Sequence, residues 1–356
     1  MMTLVNQKHF PLRRFCYLLL VCITCMACQT DQTASVSKLH FEGPTMGTQF
    51  HITISSSASA EVDVALLKKE VDQLLQNINQ QMSTYIKDSE LSRFNQNQSN
   101  DWFEVTPEVV KVVSAGINIS QESEGAFDMT VGPLVNLWHF GPDPGKKTIP
   151  ETSRIEAARK SVGYQHIALR RDQPALKKLI PDVYLDLSAI AKGYAVDAVG
   201  VLLESQGIEN YLVEIGGEMR ARGHNQKRLA WRVGIEKPVS ETRVVQKIVS
   251  LADLSMATSG NYRNFFEVEG TTYSHTIDPR TGRPVKHSLA SVSVVGETCM
   301  NCDAQATCLM VLGPEAGYNW AKDRNIAAYF IVKTENGFTE RFSPRWQELL
   351  GEVNKP

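Results

Sequence analysis

The stretch LDLSAIAKGYAVDAVGVLL, residues 185–203, decides how the chain is read. Val183, Leu185 and Leu187 alternate with Tyr184, Asp186 and Ser188, which is the period of a strand. Ser188 is placed to cap a helix by accepting a bond from a free backbone N–H. Ala195, Ala198, Val199 and Leu202 then fall on one helical face, and Gly207 is a fitting stop. A helix start carries unpaired N–H groups and a partial positive charge, so it suits a phosphate. Asp186 stands at the mouth of that site. A carboxylate there repels a phosphate unless it bonds a base or sugar, or a cation intervenes. A capped core helix with one solvated Asp satisfies the same residues, so the rest of the chain has to decide.

At 356 residues the chain can hold one large domain or two ordinary ones. A hydrophobic content of 42% and a charged content of 21% are those of a globular body with a core. The formal net charge is −2, and residues 1–27 carry Lys8, Arg13 and Arg14 with no acid, so the body is the more acidic part. With no basic run in it, a nucleic-acid partner is not expected.

Residues 1–27 read as a signal peptide. A positive start is followed by FCYLLLVCITCMA at 15–27, an apolar run too short to span a bilayer comfortably. Small Ala27 before Cys28 resembles a bacterial lipoprotein box, although Cys25 stands where Leu is usual. Lipidation at Cys28, plain cleavage and a retained anchor all put the body outside the cytoplasm. The expected organisation is a tether at 28–38, one domain at 39–350 and a tail at 351–356. The corresponding location is the periplasmic face of the cell envelope, lipid-anchored to the inner membrane.

Phe50, Ile52 and Ile54 make a strand after a Gly-Pro-Thr-Met-Gly turn, where Met46 could lie against a flat ring or simply occupy a turn. Leu67, Val71, Leu74, Ile78 and Met82 predict an amphipathic helix over 61–81, leading to Tyr85, a ligand-stacking or interface residue. Thr106-Pro107 opens a further helix, and 153–162 reads as a short surface helix. Strands are predicted at 211–215, 231–235, 247–251 and around Val292 to Val295. The pair Gly216-Gly217 after the first of these permits close approach of backbone to a ligand. His275 precedes the turn Asp278-Pro-Arg-Thr-Gly282 and is either a packing residue or a proton-handling one. Asp303 and Thr307 lie four apart at the start of a helix expected over 304–312. They are either two hard oxygen donors on one face, suited to Mg²⁺, or an N-cap with a packing Thr. Cys299-Met-Asn-Cys302 has no second pair to complete a zinc site. A local disulfide is possible there, leaving Cys308 as a buried thiol.

Together, Pro44-Thr-Met-Gly-Thr48, Met82-Ser-Thr-Tyr85, Gly125-Ala-Phe-Asp128, Asp186-Leu-Ser, Lys192-Gly-Tyr-Ala-Val-Asp197, Ile215-Gly-Gly, Ala257-Thr-Ser-Gly-Asn-Tyr-Arg263, His275-Thr-Ile-Asp-Pro-Arg-Thr-Gly282 and Asp303-Ala-Gln-Ala-Thr307 resemble the ApbE family of FAD:protein FMN transferases over residues 40–345. The resemblance implies an α/β (α+β) fold of two lobes, with mixed or antiparallel sheets and outer helices. It implies transfer of the FMN half of FAD to a Thr or Ser hydroxyl of an extracytoplasmic acceptor flavoprotein, such as a redox-pump subunit, with AMP released. FAD is then the substrate and Mg²⁺ the cofactor. Met46, Tyr85, Ala126, Phe127, Asp128, Asp186, Lys192 and Ile277 are the implied nucleotide contacts. The Ala189 main-chain carbonyl, Asp303 and Thr307 are the implied magnesium ligands. The acceptor hydroxyl has to lose its proton during attack, and His275 is the candidate general base, with Asp303 or Asp278 as alternatives. Two positions depart from part of the family: Lys192 stands where some members have Glu, and Ala306 where some have a second Asp. FAD hydrolysis to FMN and AMP, or FAD binding without chemistry, are the competing readings.

Overall fold

The structure, a computed structural model, describes residues 36–351 apart from 58–61, 143–144, 146–147, 240–243, 263–264 and 269. The targeting segment, Cys28, most of the tether, Asp143, Pro144, Arg263 and the end of the tail lie outside the described residues. Eight strands form one sheet in chain order: β1 Val36–Thr45, β2 Thr48–Ser57, β3 Tyr211–Ile215, β4 Glu218–Arg222, β5 Ser255–Gly260, β6 Leu289–Gly296, β7 Ala327–Thr334 and β8 Gly337–Phe342. Every pairing in it is antiparallel, so of the two sheet types expected only one is found here. Met46 and Gly47 turn β1 into β2 with φ of 48° and 71°, and Gly216 and Gly217 turn β3 into β4 with φ of 61° and 105°. Both are two-residue hairpin loops, in which left-handed backbone matches the twist of the strands.

Four helices cover one face: α1 Val64–Met82, α2 Pro107–Glu122, α3 Ala191–Ser205 and α4 Cys299–Asp323. Phe50, Ile52 and Ile54 of β2, Val213 of β3 and Phe330 of β7 point into this core. Ala327, Tyr329 and Ile331 of β7 point the other way, into a second core closed by the Trp231–Glu236 and Val245–Leu251 hairpin and the short helix Pro344–Leu350. The alternation that makes β7 buried on both faces is a strand's period of two. Neither β5, β7 nor β8 was expected from the sequence. On α1, Leu75 rather than Leu74 is buried with Leu67, Val71, Ile78 and Met82, and Asp63 accepts from the N–H groups of Ala65 and Leu66.

Two expectations at the decisive stretch are corrected. Residues 183–187 belong to no strand, although Val183, Leu185 and Leu187 are buried as the alternation required. Their backbone groups find other partners. The Asn95 amide bonds both Leu185 N–H and Leu185 C=O, each at 2.8 Å, and Asp186 N–H donates to Met129 C=O at 2.7 Å. One side-chain amide thus stands in for a neighbouring strand. Ser188 is not the cap of α3, which starts at Ala191; its N–H donates to Asp186 Oδ1 in a tight turn instead. The helix does stop at Gly207, whose φ is 75°. The helix expected over 304–312 starts five residues earlier, at Cys299, so Asp303 lies inside it and is not its N-cap. Gly313, with φ of 80°, breaks it where expected, and Pro314 opens the continuation.

Asn95→Leu removes the one partner that the Leu185 N–H and C=O have among the described residues. It is predicted to lower stability by about 2–5 kcal/mol, read as a shift in the urea unfolding midpoint. An unchanged midpoint would show that the 183–187 segment does not hang from this amide.

Candidate active site

Helices α3 and α4 meet at their first turns, where each leaves unpaired N–H groups. Asp197 of α3 accepts from Cys299 N–H at 3.0 Å and Met300 N–H at 2.9 Å, capping α4. Asp303 of α4 accepts from Gly193 N–H at 3.0 Å, capping α3. The approach needs Gly193: a Cβ there would lie 2.3 Å from the Cys299 carbonyl oxygen and 2.8 Å from Met300 Cα. Gly193 is the third residue of α3, so its N–H is one of the open donors of the helix start, and Asp303 takes it. Among the described residues no backbone N–H donates to the Ala189 carbonyl.

A cavity of about 430 Å³ opens beside this junction. Ala189, Asp303 and Thr307 line it together with Tyr85, Ala126, Phe127, Asp128, Asp186, Lys192, His275 and Ile277. Of the implied nucleotide contacts, magnesium ligands and bases, Met46 and Asp278 are not in the lining. Met46 is the nucleotide contact that stands apart. It sits at the tip of the β1–β2 hairpin, next to the turn whose Gly216 does line the cavity, and Gly216 N–H donates to Gln49 C=O.

The side chains divide by what they already hold. Asp128 is occupied: its carboxylate accepts from the N–H and hydroxyl of Thr130 and from Tyr164 N–H, at 2.7–2.8 Å. It shapes the wall, and burial raises its pKa. Asp278 chelates the guanidinium of Arg280 through bonds of 2.9 Å and is not in the lining, which removes it as a base. His275 lines the cavity with its ring edge-on to Phe140, 6.3 Å between centroids. Its segment is anchored where Trp138 Nε1 donates to Gly282 C=O at 2.9 Å. Tyr85 is 66% exposed at the rim, and burial of part of its ring together with Asp186 raises the phenol pKa.

Glu218 was not expected. It is buried in the wall and accepts from Lys192 Nζ at 2.5 Å through Oε1, while its Oε2 has no partner among the described residues. Lys192 Nζ stands 3.9 Å from Asp303 Oδ1. Burial pushes the Glu218 carboxyl up to about 7 against the pull of Lys192. Burial also raises Asp303, opposed by the same ammonium and by Gly193 N–H. Burial alone would lower Lys192, but Asp303 and Glu218 outweigh it and hold the amine charged. The sequence signal was faint: an acid directly after two glycines.

No group of three or more His, Cys, Asp or Glu among the described residues is arranged to hold a metal. A cation here would draw on one carboxylate, one hydroxyl and one backbone carbonyl, a hard oxygen set that fits Mg²⁺ and not a soft metal. Cys299 and Cys302 are free thiols that face the Met256 and Ser255 carbonyls rather than each other, and Cys308 is free and buried. Burial raises all three pKa values, that of Cys308 to about 12, which makes them poor nucleophiles.

Comparison with known proteins gives a consistent result. A model of the ApbE family matches residues 46–330. A Vibrio cholerae protein named FAD:protein FMN transferase is 46% identical over 313 residues, covering 88% of this chain and 93% of that one. The solved flavin transferase ApbE of Vibrio cholerae is similar at 44% identity and a TM-score of 0.81, over 88% of this chain and 99% of that one. The apo flavinyl transferase ApbE of Pseudomonas stutzeri is similar at 39% identity and a TM-score of 0.82, over 89% and 98%.

Gly193→Ala must push the two helix starts apart. It is predicted to cost about 1–3 kcal/mol and to displace Asp303. Thermal unfolding of the variant checks the first, and an unshifted Tm would contradict the close approach.

Proposed function

The chain belongs to the ApbE family, and from that premise we propose how its own residues carry out transfer of the FMN half of FAD to an acceptor hydroxyl. It is an FAD:protein FMN transferase. The observation that carries the site assignment is that one cavity gathers Ala189, Asp303 and Thr307 with Tyr85, Phe127 and His275, from segments far apart in the chain.

Tyr85, exposed at the rim, offers its face to a ring of the dinucleotide, and the buried Ala126-Phe127 wall encloses another part. The diphosphate lies toward the α3–α4 junction. The acceptor Thr or Ser oxygen attacks the FMN phosphorus, the phosphorus–oxygen bond to AMP breaks, and AMP leaves with that electron pair. His275 takes the hydroxyl proton on an imidazole nitrogen. Asp303, Thr307 and the Ala189 carbonyl would hold Mg²⁺, which offsets the negative charge of the diphosphate. The basic start, apolar run and Ala27-Cys28 of the first 28 residues support a lipid anchor on the periplasmic face of the inner membrane, with an extracytoplasmic flavoprotein as acceptor.

Purified protein incubated with FAD, Mg²⁺ and a candidate acceptor should yield covalent FMN on the acceptor and one AMP per transfer. Free FMN with AMP would mean hydrolysis, and intact FAD would mean a carrier. Asp303→Asn keeps an oxygen for Gly193 N–H, so the fold should persist while transfer is lost at limiting Mg²⁺. Retained transfer would remove Asp303 from the cation site. His275→Asn should slow transfer by about 10²–10⁴ with FAD affinity unchanged. Full activity would end its assignment as base.

A further inference from the structure

Lys192 is badly placed for a cation site unless something restrains it. Its ammonium lies 3.9 Å from Asp303 Oδ1, and Oδ2 of the same carboxylate is already taken by Gly193 N–H. Oδ1 is therefore the oxygen left for an incoming cation, and a half-buried positive charge beside it competes directly. The competitor is held off by Glu218, whose Oε1 is 2.5 Å from Lys192 Nζ. Glu218 is anchored for this, at the first position of β4, straight after the Gly216–Gly217 turn and only 4% exposed. A pair that existed for stability alone would have both carboxylate oxygens satisfied, since a half-paired buried carboxylate is costly. Here Glu218 is a lining residue and its Oε2 is buried without a hydrogen-bond partner among the described residues.

We propose that Glu218 is a positioning residue that holds the Lys192 ammonium off Asp303, so that the Lys192–Glu218 pair sets how tightly the site takes a divalent cation. The inference rests on the Ala189–Asp303–Thr307 cation site proposed above. Without the Glu218 charge, Lys192 closes on Asp303 Oδ1 and occupies the cation's place. With Lys192 removed as well, Asp303 is free again. The effect is a coupling between two neighbours, which a double-mutant cycle isolates.

The test uses Mn²⁺ as the probe, with the full-length protein in detergent and no FAD present, reading free Mn²⁺ by its paramagnetic resonance signal. Glu218→Gln, nearly isosteric, should weaken Mn²⁺ binding about 10–100-fold. The double variant Glu218→Gln with Lys192→Met should return to within about threefold of the unaltered protein, a recovery that mere loss of packing could not produce. Unchanged binding by Glu218→Gln, or no recovery in the double variant, would overturn the proposal. Asp303→Asn separates the two levels of the argument. If the unaltered protein fails to bind Mn²⁺, or Asp303→Asn binds it equally well, the cation site itself is wrong rather than the role of Glu218.

Discussion

Two carboxylates exchanged between two helix starts hold this molecule's chemistry in place. Asp197 leaves α3 to close the open N–H groups of α4, and Asp303 leaves α4 to close one on α3. Neither helix end lies where water could do this, because Cys299, Ala191 and Ala195 around them are in the core. The exchange dictates a close crossing, the crossing dictates glycine at 193, and just before α3 the Ala189 carbonyl accepts from no backbone N–H among the described residues. Features that look separate in the chain, a Lys-Gly-Tyr run and an Asp-Ala-Gln-Ala-Thr run, are two halves of one joint.

The charges around the joint nearly balance. Asp303 and Glu218 bring two negative charges and Lys192 one positive, all in surroundings that penalise any of them alone. The segment that presents His275 is built differently. Trp138, Tyr273 and Phe266 stack in sequence beside it, with centroids 5.7 and 5.3 Å apart. The cavity lining thus combines His275, carried by an aromatic stack, with the charged groups of Lys192, Glu218 and Asp303.

Much of this was legible in the sequence, for reasons that differ by residue. The apolar alternation at 183–187 correctly marked burial but not pairing, because the partner that satisfies Leu185 is the side chain of Asn95, ninety positions earlier. The i and i+4 spacing of Asp303 and Thr307 placed both on the cavity side of α4, yet the start of that helix was misjudged, since its cap comes from Asp197 on another helix. Thr106 likewise precedes its helix as expected while its hydroxyl serves Glu90. Glu218 went unread because its meaning depends on Lys192 lying opposite, which only the β3–β4 hairpin brings about. β7 was missed because Ala327 to Val332 is a continuous apolar run, which cannot be told from a buried helix segment by periodicity alone.

The attachment of the Ala189 segment to Asn95 has a mechanical consequence. A residue inside a strand follows every twist of its sheet, because the ladder transmits displacement along its length. Ala189 belongs to no ladder: the Asn95 amide and the Met129 carbonyl hold the segment before it, and α3 begins two residues after it. The position of that carbonyl is therefore set by a side chain, a loop and a helix start, and not by the register of any pair of strands.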